Sequence, residues 1–411
     1  MPIQSLFSRF HAYFRSSKGR RVGLWLAYFT FWGAAAAVLP YVPLYYESVN
    51  LSGSQIGQLN SIPFFIAMFS SVFFGILSDV SKKNKLLLRV CVVGMISALF
   101  LFPRVSTFTA FIPIVLIYSM FQAPANPILD ETTLTVLEKP ELYGRVRVGG
   151  SIGWGLMVLA TGFLIDNLGL GIPVIFYLNI AYLLVFFLII SVIPEPASKK
   201  TMDRPKVTFG KIGEMFRKPG FILIFVLIII WGMGEASITN FLFLHIKQLG
   251  GSSTLMGTAL SISLIGEIVT FSIANKIQEK IGELKMILLA FIVLIAWLTG
   301  LALIKDPNMI PLFQIFGGAG FALMHSGSVA YVNRRAPKEL GTTAQALRGG
   351  LYSGFGVGIG TLLSGRLYEF MGSSSLYQTM AFIQLGGFIL GVVVYLRDRR
   401  AQSAKAADLP E

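Results

Sequence analysis

The chain has 411 residues, of which 54% are hydrophobic and 13% are charged, and its formal net charge is +14. Soluble domains carry about 25% charged residues, so this chain has too few charged groups to cover a soluble surface. We therefore expect lipid, rather than water, to surround most of it. The single cysteine, Cys91, excludes an internal disulfide. The three histidines lack metal-ligand spacing, so we expect no metal site.

Twelve apolar runs are long enough to cross a membrane, because about 20 apolar residues span ~30 Å of hydrocarbon. In chain order they lie at 22–47, 55–78, 86–103, 107–136, 146–166, 171–193, 220–246, 254–276, 285–304, 309–332, 343–366 and 374–396. Only helices and closed barrels satisfy their backbone inside a bilayer, and these runs are longer than barrel strands. The sequence therefore predicts an all-α membrane protein with twelve transmembrane helices.

The distribution of basic residues predicts how the chain is oriented. With a cytoplasmic N-terminus, 30 of the 34 Lys and Arg residues fall in inner segments. The remaining four lie in outer loops: Arg104, Lys247, Lys305 and Arg366. Inner loops of membrane proteins are enriched in Lys and Arg. We therefore expect a multi-pass protein of the cell inner membrane with both termini in the cytoplasm.

A polar linker separates six spans from six. We predict an N-terminal bundle over 1–195 that includes a cytoplasmic tail, a linker over 196–218, and a C-terminal bundle with its own tail over 219–411. The halves share a weak repeat at an offset of 200 positions, in which Gly57 and Ser61 correspond to Gly257 and Ser261. Duplicated halves are typical of secondary transporters, which bind a solute between the two repeats.

The fourth span carries a polar stripe. Gln122, Asn126 and Asp130 recur at every fourth position, so they lie on one face of a helix. Because polar groups facing lipid are costly, we expect this stripe to line a solute cavity.

The neighbouring spans offer partners for this stripe. Arg147, Ser151 and Trp154 share a face of the fifth span, and a short connection makes that span an antiparallel neighbour of the fourth. We expect Arg147 to pair with Asp130 and the group to bind substrate; the alternative is a gate or an ion pair at the cytoplasmic helix ends. Tyr28 and Trp32 share a face of the first span, where cavity lining and helix packing explain them equally well.

Ionisable groups also occur inside the later spans. Glu235 in the seventh span and Glu267 in the eighth stand among apolar residues. A carboxyl group removed from water accepts a proton more readily, so either residue is a candidate for proton coupling. His325 in the tenth span is a third candidate, since histidine titrates close to operating pH. For each residue the alternative is a structural hydrogen bond.

A short motif follows the second span. Gly75, Ile76, Leu77, Ser78 and Asp79 precede Lys82 and Lys83. The run is similar to the signature between helices two and three of the major facilitator superfamily, although Lys82 stands where that family usually has a second glycine. The resemblance implies a cytoplasmic gate formed by Gly75, Asp79, Lys82 and Lys83. Solvated loop charges are the alternative.

A second motif, from Tyr143 to Trp154, resembles the start of helix five in lactose permease and in the phenylpropionate permease-like branch of the superfamily. The resemblance implies that Arg147 binds sugar hydroxyls together with Asp130, and that Trp154 stacks on the sugar ring. Gly266 and Glu267 resemble a further sugar-binding pair. The family's proton relay uses an arginine on helix nine, and the ninth span of this chain contains no arginine.

The sequence thus predicts a proton-coupled symporter that takes up a small organic solute, with a sugar or nucleoside favoured. An aromatic carboxylate paired with Arg147 is the next choice, and drug efflux is the rival direction of transport. No nucleophile, nucleotide or metal motif is recognisable, so we expect neither an enzyme nor a cofactor, and no nucleic-acid partner. We expect a monomer in the lipid bilayer.

Overall fold

The computed structural model describes residue 14 and residues 16–194, 219–337 and 340–407. Within these residues the structure is helical and no strand is present. The first helices are α1 (Ser17–Val38), α2 (Val42–Ser48), α3 (Gly53–Ser81), α4 (Asn84–Leu101), α5 (Phe108–Val136), α6 (Tyr143–Asn167) and α7 (Val174–Val192). The later helices are α8 (Pro219–Gln248), α9 (Ser253–Ile281), α10 (Glu283–Leu303), α11 (Ile310–Arg335), α12 (Gly341–Gly350) and α13 (Gly358–Ala407), with a π-helical segment at Leu351–Val357 between the last two.

Eleven helical segments in the described part of the chain are long and apolar enough to span a membrane. The last of them, Thr343–Val393, contains 51 residues. Gly372 interrupts it with φ 77° and ψ 173°, outside the helical region, so this segment comprises two consecutive spans. The predicted all-α fold with about twelve spans is confirmed. The first predicted span divides into α1 and α2, because Pro40 and Pro43 interrupt the helical hydrogen bonds there.

The described residues form two compact units. The first contains the residues up to 194 together with Ser252–Ser261, and the second contains the remaining described residues. The start of α9 therefore clusters with the first unit, although the sequence places it after the linker. Asp166 at the end of α6 caps α9 there: its carboxylate accepts hydrogen bonds from the backbone amides of Ser253 (3.1 Å) and Thr254 (2.6 Å).

Helix α5 stays continuous although it contains Pro113, Pro124 and Pro127. A proline has no N–H for the carbonyl four residues earlier. The carbonyl of Met120, which Pro124 leaves without its helical donor, instead accepts a 2.5 Å hydrogen bond from the hydroxyl of Ser70 on α3. This bond satisfies the carbonyl and holds α3 against the helix that carries the polar stripe.

Two glycines bring α6 against α1. A Cβ on Gly149 would lie 2.5 Å from the carbonyl oxygen of Trp25, and one on Gly153 would lie 2.2 Å from that of Phe29. Glycines four positions apart allow such close backbone approach between membrane helices. This contact fixes the position of the α6 side chains over those of α1.

Candidate functional site

A tyrosine-rich cluster in the first unit surrounds Asp130. The Oδ1 atom of Asp130 accepts hydrogen bonds from the hydroxyl of Tyr28 (2.5 Å) and from that of Tyr143 (3.0 Å). Its Oδ2 accepts one from the Asn126 amide (3.2 Å). Hydrogen bonds to an ionised group contribute about 1.5–3 kcal/mol each. Three donors on three neighbouring segments therefore hold this carboxylate in one orientation.

Arg147 lies over aromatic rings instead of beside a carboxylate. Its guanidinium carbon is 4.7 Å from the centre of the Trp32 ring and 5.3 Å from that of Tyr28. The ion pair that we expected between Arg147 and Asp130 is absent among the described residues, and Arg147 makes no hydrogen bond with them. The reason is geometric. Asp130 already accepts hydrogen bonds from Tyr28 and Tyr143. The packing of α6 against α1 places the rings of Tyr28 and Trp32 next to the Arg147 guanidinium.

The remaining residues predicted for this site differ in burial and in their contacts with the cluster. Trp154 packs edge-to-face on Trp32, with ring centres 6.1 Å apart. Gln122 is half-buried on α5, two turns before Asp130. Ser151 is exposed on α6. The cluster thus contains a row of aromatic rings under a cation, with a carboxylate at one end.

Two polar atoms in this cluster lack a hydrogen-bond partner among the described residues. They are Nε1 of Trp32, which is a donor, and Oδ1 of Asn126, which is an acceptor. Both atoms are buried. A buried polar atom without a partner costs about 1–3 kcal/mol. A ligand with hydroxyl or amide groups would recover that free energy, so these atoms are candidate contacts for a solute.

A second cluster lies in the second unit around Glu235 on α8. The hydroxyl of Tyr352, in the π-helical segment, donates a hydrogen bond to Oε2 of Glu235. Glu267 of α9 belongs to the same unit and lies within electrostatic range of Glu235. The side chains of Glu235, Glu267 and Tyr352 are half-buried.

Arg348 and His325 lie beside this second cluster. The guanidinium of Arg348 donates to Oε1 of Gln345 at 2.9 Å and lies 3.4 Å from the hydroxyl of Ser328. It also interacts electrostatically with Tyr352 and with His325. The His325 side chain is exposed on α11 and contacts Phe271 and Phe321, at 6.0 Å and 5.7 Å between ring centres. We find no hydrogen bond from His325 to either glutamate among the described residues.

The predicted gate lies at the corner between α3 and α4. Gly75 has open space around its Cα, and the side chain of Asp79 lies outside the described residues. Lys82 ends α3 in the left-handed conformation, with φ 54° and ψ 23°. This conformation costs a residue with a Cβ about 1–2 kcal/mol, so the corner at Lys82 is strained. Lys83 precedes α4 with φ −113°.

Two tyrosines in these clusters were not predicted from the sequence. Tyr143 and Tyr352 each donate a hydrogen bond to a carboxylate of a different helix. Tyr143 lies within the quoted motif at the start of α6, which was a usable signal. No spacing rule indicated Tyr352, because its position depends on a π-helical turn.

The chain was compared with known families and proteins. The MFS_1 like family matches residues 22–379. The maltose permease of Geobacillus stearothermophilus is 26% identical over 389 residues, which is 92% of this chain and 96% of the permease. The multidrug resistance protein MdtG of Salmonella choleraesuis (strain SC-B67) is 26% identical over 314 residues, covering 72% of this chain and 75% of MdtG.

Among solved structures, the nucleoside transporter NupG superposes with a TM-score of 0.81. The match covers 91% of this chain and 98% of NupG at 17% sequence identity. At that identity the similarity establishes the fold.

Proposed function

This chain belongs to the MFS_1 like family of major facilitator transporters, and on that premise we propose that it couples uptake of a sugar- or nucleoside-like solute to proton entry. The protein is a multi-pass membrane transporter of a small molecule and not an enzyme. The names of two similar proteins, a maltose permease and a nucleoside transporter, favour a polyhydroxylated solute.

The observation that carries the proposed solute class is the cluster around Asp130. The half-buried ring of Trp154, which packs edge-to-face on Trp32, offers a flat apolar surface on which a sugar or base ring can stack. The donor Nε1 of Trp32 and the acceptor Oδ1 of Asn126 have no partner among the described residues. A hydroxyl group both donates and accepts, so a polyol carries the groups that each of these two atoms needs.

Proton coupling is proposed for the cluster around Glu235. Two carboxyl groups that interact electrostatically, Glu235 and Glu267, share one unit. An acidic residue inside a membrane-spanning helix is costly to keep there and marks a candidate proton site. The membrane potential adds about 2.3 kcal/mol per 100 mV for each charge moved inward, which is sufficient to accumulate a solute. We propose that the termini are cytoplasmic, from the distribution of basic residues, and that the protein works as a monomer.

Uptake by proteoliposomes tests this proposal. The purified protein is reconstituted, an inward proton gradient is imposed, and accumulation of labelled maltose and labelled uridine is followed with and without a protonophore. We expect accumulation of one of the two solutes and its loss when the gradient is collapsed. Accumulation that persists without the gradient refutes proton coupling, and no accumulation of either solute refutes the polyol assignment.

One observation favours a second candidate solute, an aromatic carboxylate. Arg147 makes no hydrogen bond within the described residues, and a guanidinium binds a carboxylate through two parallel bonds. Labelled 3-phenylpropionate therefore forms a third arm of the same assay. Its accumulation with no uptake of maltose or uridine would favour this candidate. Net export of a toxicant from loaded vesicles would instead favour the efflux direction suggested by the similarity to MdtG.

A further inference from the structure

The contact between Tyr352 and Glu235 is set by close packing of two backbones. A Cβ on Gly232 of α8 would lie 3.0 Å from the carbonyl oxygen of Tyr352 and 3.1 Å from the Cα of Gly356. A Cβ on Gly356 would lie 2.9 Å from the carbonyl oxygen of Ile229. No side chain separates the two helices at this level, so their backbones are in direct contact.

The aromatic ring of Tyr352 also contacts α8. It packs against the Trp231 ring at 6.1 Å between centres, with 37° between the ring planes. Glu235 follows Trp231 by one helical turn, so the tyrosine hydroxyl meets the glutamate carboxylate. Tyr352 lies in the π-helical segment Leu351–Val357, and π-helical turns occur frequently at functional sites.

Few charged groups act on this pair. Among the described residues, the titratable groups that act on Glu235 are Tyr352 and Glu267 of α9. Those that act on Tyr352 are Glu235, Glu267 and Arg348 of α12. Helices α10, α11 and α13 contribute no described titratable group that acts directly on Glu235. In the described part of the chain, Tyr352 is the only hydrogen-bond donor to the Glu235 carboxylate.

We propose that Tyr352 is a positioning residue for proton coupling, and that its hydroxyl sets the pH at which Glu235 binds a proton. This inference rests on the proposed function, because it assigns the donor that acts on a proposed coupling residue. The proton comes from the aqueous phase and forms one O–H bond on the carboxylate. Tyr352 keeps its own proton, so its bond to Glu235 changes from one with a charged acceptor to one with a neutral acceptor, which is weaker.

Infrared difference spectroscopy of the full-length protein in vesicles tests the inference without any solute. The band of the protonated carboxyl group is followed during a pH titration, and its loss in Glu235→Gln identifies the signal of Glu235. In Tyr352→Phe we expect the midpoint to move to higher pH by about one unit, a tenfold change in proton affinity. The carboxylate has then lost a donor that favours its ionised form.

A matched control is Tyr377→Phe. Tyr377 is also buried in the second unit, but its hydroxyl has no hydrogen-bond partner among the described residues. We expect no change of the Glu235 midpoint in this variant. An unchanged midpoint in Tyr352→Phe, an equal shift in Tyr377→Phe, or no titrating band assigned to Glu235 would each overturn the inference.

A second variant tests the inference if Tyr352→Phe does not fold. Fluorotyrosine incorporated at position 352 has nearly the same shape and a more acidic hydroxyl, which is a stronger donor. The midpoint should then move to lower pH, opposite to the phenylalanine variant, and a shift in the same direction contradicts the inference. Failure of the proposed function has a different signature, because proteoliposome uptake by the unaltered protein would then not respond to the proton gradient.

Discussion

The carboxylates of Asp130 and Glu235 are both half-buried in spanning helices, yet their surroundings differ. Asp130 accepts hydrogen bonds from two tyrosines and an asparagine. Glu235 accepts one from a single tyrosine, and its electrostatic neighbour is another acid, Glu267. A carboxylate with three donors is held in one geometry, which suits ligand binding. The proposed coupling residue is therefore held by fewer side chains of the described part of the protein than the proposed ligand-binding residue is.

The corners that follow α3 and α9 make a second contrast at an offset of 200 positions. Both corners require a left-handed residue, which is Lys82 with φ 54° in the first unit and Gly282 with φ 80° in the second. Glycine adopts this conformation without strain, whereas lysine does not. Equivalent turns in the two units thus meet the same backbone requirement at different cost.

The proposed difference between the two carboxylates fails if the cluster around Asp130 does not bind solute. We expect Arg147→Ala to weaken solute affinity about 100-fold, because hydrogen bonds to a charged group contribute ~1.5–3 kcal/mol. Thermal-shift titration of the purified protein with the transported solute measures this. Arg145→Ala is the control, since Arg145 is exposed two positions earlier on α6. Equal affinity in both variants would remove the cluster from the binding site.

The variant Glu235→Gln tests the proposed role of Glu235 in proton coupling. We expect this variant to lose proton-driven accumulation and to keep solute exchange between the two sides, because exchange needs no net proton movement. Proteoliposome counterflow and gradient-driven uptake measure the two activities. Glu279→Gln, a change at an exposed position of α9, should retain both. Full accumulation in Glu235→Gln would show that proton coupling does not depend on this residue.

The geometry of the first cluster depends on the contact between α1 and α6. In Gly153→Ala the new Cβ would lie 2.2 Å from the Phe29 carbonyl oxygen, so the helices must separate at a cost of about 1–3 kcal/mol. We expect a lower melting temperature and weaker solute binding. Gly144→Ala on the same helix meets no atom within 4 Å and should leave both unchanged. A melting temperature as high as that of the unaltered protein would contradict the assigned contact.

The left-handed conformation of Lys82, where the second unit has Gly282, predicts a stabilising substitution. We expect Lys82→Gly to raise the free energy of unfolding by about 1 kcal/mol, because it removes the left-handed strain. Gly282→Lys should lower stability by a similar amount. Lys83→Gly is the control: its φ of −113° is unstrained, so glycine there brings no gain. Thermal unfolding in detergent distinguishes these outcomes, and destabilisation by Lys82→Gly would argue for a specific contact of the lysine.

The smallest expected effect concerns the N-terminus of α1. Glu138 accepts a 2.7 Å hydrogen bond from Ser17 and pairs with Arg20. The Ser17 hydroxyl and then Arg20 hold the pKa of this exposed carboxyl below its ordinary value. A lowered pKa in the folded state means that the stabilisation is present above the ordinary pKa and is lost as pH falls through the folded one.

The melting temperature of Glu138→Gln should therefore lie slightly below that of the unaltered protein at neutral pH. The two should converge at acidic pH, where both side chains are uncharged. The difference should be small throughout, because exposed ion pairs contribute little. A gap that widens as the pH is lowered would contradict this assignment.

Much of the first cluster could be predicted from the sequence. The spacing of Asn126 and Asp130 by four residues placed both on one helix face, where the structure joins them by a hydrogen bond. The pairing of Asp130 with Arg147 was wrong, because spacing gives the face of a helix and not its rotation against a neighbour. Tyr143 and Tyr352 were missed for the same reason, since each acts on a carboxylate of another helix.

By itself, the sequence determined the membrane environment, the all-α fold and the approximate number of spans, because hydrocarbon thickness and backbone hydrogen bonding leave no alternative to long apolar helices. Only the tertiary structure decided which groups meet. Contacts such as Gly153 against Phe29 and Gly232 against Tyr352 depend on how closely two backbones approach. That distance is set by the packing of both helices at once, so no single segment encodes it.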